Sequence, residues 1–453
     1  MDGAVLDTRL EPVPRGAGSI VASSLAEQRL KVGVLVDLTL TPDAGGHVKC
    51  WERIAEAAVD FPDRLDLTVH FSAPDDASTP RRVELSSSVR YMLMPPMFST
   101  RRLVRQVPDH TDLGLWHKGL ARELPNYDVV HTTDAFFCYA RTATRFARKT
   151  GVPVVSSIHT NTPEYARITV DSLLGRALGD GPIYRLMSER LALPQRVSGV
   201  LERRLHRHLD RVTMAMASYG GAVDGDGWHC GVSLRRGFDR TLFDPGKRDR
   251  DWLESRFGVP AGQFVVMYAG KLNGGKNVPL LGPAVELARR SGWPIHLFCA
   301  GKGEERDALA ARLGDAMTLP GVLSQDELAR AYASVDLFLF PSVIDEAGNV
   351  ALEALGSGIP ALLATGSGVA TRMADCSAVR VLPGDAPHVW ASTISGFAAA
   401  PEKCRELGAA ARAYIETTVP SWGEIVAEDL LPVWQAAAAT RRGNIQSIGN
   451  THR

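Results

Sequence analysis

The densest run of chemistry-capable residues is Phe340-Pro-Ser-Val-Ile-Asp-Glu-Ala-Gly-Asn-Val-Ala-Leu-Glu-Ala-Leu-Gly-Ser-Gly-Ile-Pro360. An apolar stretch ends at Pro341. A polar loop with Asp345, Gly348 and Asn349 then opens a helix that carries Glu353, and Gly358-Ile-Pro360 stops it. The first N–H groups of a helix lack intrahelical partners and sit in positive potential, which suits a pyrophosphate. A carboxylate one or two turns along can reach the two hydroxyls of a ribose. Asp345 and Asn349 could instead simply cap the helix, but the whole run favours a ligand.

Four further places carry polar groups at the ends of apolar runs. Gly45-Gly46-His47 follows Lys31-Val-Gly-Val-Leu-Val-Asp37, and two glycines let backbone amides approach where a Cβ would collide. His131 ends Asp128-Val-Val-His131, and His159 follows Val152-Pro-Val-Val-Ser-Ser-Ile158. Lys271 and Lys276 lie in Tyr268-Ala-Gly-Lys-Leu-Asn-Gly-Gly-Lys-Asn277, a glycine-bearing loop behind another apolar run. Taken singly, a strand-end histidine is more often a satisfied structural side chain, and Gly-Gly-His more often a turn.

Placing these groups takes a repeated strand–loop–helix pattern, and the chain has it twice. Short β-branched runs at Lys31–Asp37, Leu65–Phe71, Asp128–His131 and Val152–Ile158 alternate with helical stretches near 47–59 and Arg141–Lys149. The second alternation runs through Phe264–Ala269, Ile295–Ala300, Met317–Leu319, Leu337–Phe340 and Ala361–Ala364. Residues 163–219 read as mainly helical and basic, and a helix over about 422–441 precedes a frayed tail. The expected class is α/β, with two Rossmann-like doubly wound domains facing a cleft. The expected divisions are a mobile arm over 1–29, a first Rossmann-like domain over 30–235 and a second over 236–420. Residues 421–453 form a C-terminal helix and tail, the helix packing back on the N-terminal domain.

Bulk properties narrow the partners. A chain of 453 residues is too long for one ordinary core. Its 51 basic and 51 acidic residues leave no net field to draw nucleic acid. Arginine runs at Arg101, Arg102 and Arg105, and at Arg203, Arg204, Arg207 and Arg211, read as solvated helix faces, although such runs can dock a membrane or anionic acceptor. The six cysteines have neither zinc spacing nor a C-x-x-C pair, which fits reduced thiols. With no leader-like or membrane-length apolar segment read in the sequence, the expectation is a cytoplasmic protein without stable membrane insertion.

The Phe340–Pro360 run resembles the signature of glycosyltransferase family 4, whose members are retaining enzymes of the GT-B fold. In that family two glutamates separated by seven residues bracket Phe-Gly-Asn. The second glutamate matches Glu353, which the resemblance assigns to the ribose. The first falls on Asp345, the phenylalanine on Ala347, and Glu346 stands one position out of register. Gly348, Asn349 and Val350 complete the donor-binding stretch. The Tyr268–Asn277 loop resembles the family's Gly-Arg-Leu…Lys-Asn loop, and the resemblance puts Gly270, Lys271 and Lys276 on the donor phosphates. Lys271 stands for the usual arginine and lacks its bidentate fork. Ala300-Gly-Lys-Gly303 and Pro320-Gly-Val322 resemble the following strands and base-binding region, which adds Gly301 and Val322 to the donor side. Arg236-Gly-Phe-Asp-Arg-Thr-Leu-Phe-Asp-Pro245 resembles the family's linker, with Arg236 in place of Asn and Phe238 in place of Val. Gly45 and Gly46 resemble the glycine loop that nears the donor sugar and phosphate. The resemblance raises His159 to a contact with the donor sugar or departing oxygen, and leaves His131, with His47, Glu164 and Tyr165, to the acceptor.

These likenesses imply a metal-independent, cofactor-free transfer of sugar from a GDP- or UDP-linked donor, itself a substrate, to a small-molecule acceptor. The implied catalytic set is His159, Lys271, Lys276 and Asp345. Front-face attack, with the donor diphosphate as base, fits the want of a well-placed carboxylate nucleophile. Asp345 and Ala347 both remove volume where the donor sugar lies. That room fits a bulkier sugar, such as the GDP-octose that lincosamide-type enzymes of antibiotic biosynthesis place on a thiol. The same scaffold could house a sugar-nucleotide epimerase or an inactive nucleotide-sugar-binding protein. Oligomeric state is not legible.

Overall fold

The computed structural model describes residues 29–41, 44–74, 79–99, 111–159, 162–179, 181–217, 232–343 and 348–450. Its first sheet comprises β1 Leu30–Thr39, β2 Leu65–Ser72, β3 Arg81–Glu84, β4 Val89–Met94, β5 Val129–Thr132, β6 Val154–Ile158, β7 Met214–Ala217 and β8 Val232–Ser233. They lie in the order β3-β4-β2-β1-β5-β6-β7-β8, all pairs parallel except β3 with β4. Continuous apolar runs suit such a sheet because both faces are covered. From Val32 to Val36 every side chain except that of Gly33 is a buried aliphatic.

The second sheet holds β9 Phe264–Ala269, β10 Ile295–Ala300, β11 Met317–Gly321, β12 Leu337–Phe340, β13 Ala361–Ala364 and β14 Val379–Leu382. Its order is β11-β10-β9-β12-β13-β14, parallel throughout. This is the doubly wound arrangement in which the strand order reverses beside the first strand. The second unit has an apolar layer on each face of the sheet, one around Met267, Phe298 and Phe338 and the other around Tyr268, Leu297 and Leu339.

The closing helical segment lies against the first sheet. Ile425, Leu430, Leu431 and Trp434 share one core with Val34, Trp51 and Val69. Helical backbone runs from Leu431 to Asn450, so the helix is longer than the sequence pattern indicates. The exception to the mainly helical reading of 163–219 is β7, Met214–Ala217, which pairs with β6. Helices Thr162–Leu178 and Leu193–Leu209, with shorter helical pieces at Pro182–Arg185 and Leu186–Arg190, make up most of the described part of that segment.

Candidate active site

Ligands of doubly wound sheets bind outside the carboxyl ends of the strands, where the order reverses. Those points lie between β1 and β5 in the first sheet and between β9 and β12 in the second. At these ends lie Gly45 and the helix start at Gly46, His131 in the last part of β5, the Lys271 loop after β9, and Gly348 beyond β12. All four were candidate positions in the sequence.

Two helices start at this crevice. The Gly46–Ala58 helix is preceded by an extended Gly45, and no side chain caps it. The Asn349–Gly356 helix is preceded by Gly348 at φ 61°, also with no side-chain cap. Only glycine takes this position without strain, and a Cβ there would lie 2.4 Å from the Val369 side chain. The two starts are close: a Cβ at Gly46 would stand 3.4 Å from Asn349 Nδ2. Two positive helix ends therefore converge from the two sheets.

The lysine loop is laced to its neighbours. Gly270 N–H donates to Ala300 O at 2.9 Å, Leu272 N–H to Lys302 O at 2.9 Å, and Gly301 N–H to Gly321 O at 2.8 Å. Gly301, at φ 139°, packs so tightly that a Cβ would reach 1.8 Å from Gly270 O. Asn273 accepts the Lys276 N–H at 2.9 Å, and Tyr268 donates its hydroxyl to Lys271 O at 2.8 Å. Asn277 donates from Nδ2 to Pro341 O at 3.1 Å and Gly384 O at 2.6 Å, pinning the loop beside the end of β12. Lys271 and Lys276 are half-buried, and Val322 is exposed on the turn after β11.

Glu353 lies one turn into its helix. The Tyr332 hydroxyl donates to Glu353 Oε2 at 3.2 Å. Burial pushes the Glu353 carboxyl up to about 8, opposed by the Tyr332 hydrogen bond and the Arg53 charge. Arg53 comes from the Gly46–Ala58 helix and also donates to Gln325 Oε1, at 3.2 Å, in the second unit.

The first-domain wall is a chain of rings. Trp434 Nε1–H donates to His131 Nδ1 at 2.9 Å. His131 Nε2 and Ser157 Oγ are 2.8 Å apart, and Ser157 Oγ and His159 Nε2 are 2.7 Å apart. Arg236 reaches His159 Nδ1 at 3.3 Å and donates to Cys50 Sγ at 2.8 Å. The His47 ring stacks on His159 with centroids 4.5 Å apart. Burial lowers His131 to about 3 and holds His159 well below the usual histidine range, with His47, Arg236 and His131 adding to the effect on His159. Both are neutral near pH 7. Beside this wall the Asp37 carboxylate accepts the Asp112 and Tyr139 N–H groups, and burial plus the Asp134 charge raise its pKa.

The geometry thus gathers Gly45, Gly46, His47 and His159 opposite Gly348, Asn349, Val350 and Glu353. His131 stands one row behind, fully buried, with Trp51 packed edge-on against both it and His159. Glu164 lies on the Thr162–Leu178 helix, paired with Arg167 at 2.6 Å. Tyr165 is on the same helix, its side chain outside the described residues, as are Asp345, Glu346 and Ala347. Arg53, Ser157, Asn277 and Trp434 were not assigned to the site from sequence. Arg236 had one signal, its replacement of the family's linker asparagine. Arg203, Arg204 and Arg207 are exposed, while Arg101, Arg102 and Arg105 lie outside the described residues. Among the described residues no helix is long and apolar enough to cross a membrane, and no three His, Cys, Asp or Glu side chains are grouped to hold a metal ion.

Comparison with known proteins adds an independent line. Residues 44–215 match the model of Glycosyltransferase Family 4, and residues 263–399 match that of Glycosyl transferases group 1. Together the matches span more than half of the chain. The chain is 26% identical over 422 residues to D-inositol 3-phosphate glycosyltransferase 1 of Catenulispora acidiphila, covering 88% of this chain and 93% of that one. The match to the D-inositol 3-phosphate glycosyltransferase of Streptomyces scabiei is also 26% identical, and spans 64% of this chain and 65% of that one. Among solved structures, sucrose-phosphate synthase from Thermosynechococcus elongatus superposes with a TM-score of 0.63 at 16% identity, covering 93% and 100% of the two chains. Anabaena HepE in complex with UDP and glucose gives 0.61 at 17%, covering 89% and 99%. With both halves matched, and two mainly parallel α/β sheets meeting at a cleft, the chain belongs to the family 4, group 1 glycosyltransferases of GT-B fold.

Proposed function

We propose that this glycosyltransferase moves a sugar from a GDP- or UDP-linked donor to a small-molecule acceptor in the cytoplasm, with retention of configuration and without metal or cofactor. The observation that carries this reading is the convergence of two helix starts without side-chain caps, at Gly46 and Asn349, with Glu353 one turn beyond. The diphosphate sits between the helix starts, where Lys271 and Lys276 neutralise the charge that grows as the glycosidic bond breaks. Glu353 takes the ribose hydroxyls, and the base lies toward Gly301 and Val322. His159 faces the donor sugar, and the family resemblance assigns Asp345 to it as well. His47, His131, Glu164 and Tyr165 define the acceptor side.

In this reading the acceptor attacks on the face from which the diphosphate departs, and a diphosphate oxygen takes the acceptor's proton. The oxocarbenium-like centre is shielded from water when the domains close. The names of the relatives, with a cyclitol phosphate as acceptor, and the UDP and glucose held by HepE support a nucleotide-sugar donor and a small polar acceptor. Asp345 and Ala347 favour a donor sugar larger than hexose, of the antibiotic-pathway type.

The test is turnover in EDTA with UDP-, GDP-, ADP- and TDP-sugars, including a long-chain sugar, against inositol phosphate and thiol acceptors. Acceptor-dependent release of one diphosphate, with product of the donor's anomeric configuration by NMR, supports the proposal. A new nucleotide sugar formed without acceptor would make the protein an epimerase. Donor binding without turnover would make it a binding protein. Loss of activity in EDTA or an inverted product would remove the metal-free or retaining part.

A further inference from the structure

The ring chain on the first-domain wall has donors of fixed sense at both ends. An indole nitrogen only donates, so Trp434 Nε1–H makes His131 Nδ1 an acceptor. A neutral imidazole carries one proton, which for His131 is then on Nε2 and points to Ser157 Oγ at 2.8 Å. A guanidinium likewise only donates, so Arg236 makes His159 Nδ1 an acceptor. The His159 proton is then on Nε2, also aimed at Ser157 Oγ, 2.7 Å away. Ser157 Oγ has two lone pairs and can accept both, with its own hydroxyl proton turned elsewhere.

We propose that Arg236 is a positioning residue that fixes His159 as an Nε2–H imidazole, so that this ring meets a ligand as a neutral hydrogen-bond donor and not as a proton acceptor. Arg236 can hold this position because it is itself held. It is 8% exposed in the stretch between the two sheets, and its other Nη donates to Cys50 Sγ on the Gly46–Ala58 helix. The titratable and charged groups facing His159 are His47 on that helix, His131 at the end of β5, and Arg236. Each disfavours a second proton on the ring, as does the ring's own burial. His47 stacks on the ring and limits its rotation. On binding, the Nε2–H need only exchange Ser157 Oγ for an oxygen of the ligand. Its role toward a donor sugar rests on the proposed function above, whereas the proton arrangement does not.

The test is spectroscopic and needs no substrate. Full-length protein with 15N-labelled histidine is examined by long-range 1H–15N correlation from pH 5 to 8, with His159→Gln identifying the His159 signals. The wild type should give the pattern of a single neutral Nε2–H ring for His159 across that range. Arg236→Met removes the donors at similar length, and should release Nδ1, giving a tautomer mixture or a ring that titrates. Arg236→Lys, which restores a donor, should return the wild-type pattern. An Nδ1–H ring or an imidazolium in the wild type would overturn the proposal even if the methionine variant does not fold. So would an unchanged Nε2–H pattern in a folded Arg236→Met.

Discussion

In the proposed function Glu353 accepts two ribose hydroxyls as a carboxylate, yet burial holds its carboxyl up to about 8 in the ligand-free protein. Below that value the free protein keeps the proton, and nucleotide binding has to expel it. Affinity for the nucleoside diphosphate should therefore rise with pH, by up to about tenfold per unit between pH 6 and 8. Calorimetry in buffers of different ionisation enthalpy should detect up to one proton released. Glu353→Gln should bind about 10- to 100-fold more weakly, the worth of hydrogen bonds to a charged group, and lose the pH slope. A slope that survives in the variant would assign the proton to another group. At this scale, residues sharing a local run with glycines were legible in the sequence: Glu353, Gly348 and the lysine pair. Those acting through distant partners were not. Trp434 meets His131 across 303 positions, and Arg236 meets His159 across 77. No local spacing encodes either contact.

The helix starts form the next scale, and their glycines do different work. Gly348→Ala places a side chain at φ 61° and against Val369, so it should cost about 1–3 kcal/mol of stability and weaken diphosphate binding. Gly46→Ala meets only Asn349 Nδ2 at 3.4 Å, and should leave urea unfolding within about 0.5 kcal/mol of wild type. Equal destabilisation by both would contradict the geometry. The strands that abut the site were legible because buried parallel strands read as unbroken apolar runs. Three outer strands of the first sheet lack that signature. β3 is Arg-Arg-Val-Glu, β7 is Met-Ala-Met-Ala, and β8 spans two residues. Their place is fixed by sheet pairing, not by their own β propensity.

Over the whole molecule, the C-terminal helix shares the first sheet's core, and Arg53 bridges to Gln325 on the second unit. Removing that bridge with Arg53→Ala should slow domain closure and weaken nucleotide binding, with unfolding changed by less than about 1 kcal/mol. Buried histidines set the acid limit. Burial lowers His70 and His131 to about 3 and His208 to about 4, while in the unfolded chain each titrates near the ordinary value. Below about pH 6.5 the unfolded state binds more protons. Stability should be full above that pH and fall as pH drops toward 4, by up to about 1.4 kcal/mol per unit for each histidine. Thermal melts from pH 8 to 4 check this, and a melting temperature flat down to pH 4.5 would contradict it.

The central claim is that a nucleoside diphosphate binds across the cleft, between two helix starts and two lysines. Its most direct measurement is calorimetric titration of UDP, GDP, ADP and TDP into wild type and Lys271→Ala/Lys276→Ala, all in EDTA. The account predicts selective binding of one diphosphate to the wild type and a loss of about 100-fold or more in the double variant, from two charge-assisted contacts. No binding to folded wild type, or equal affinity in both proteins, would contradict it.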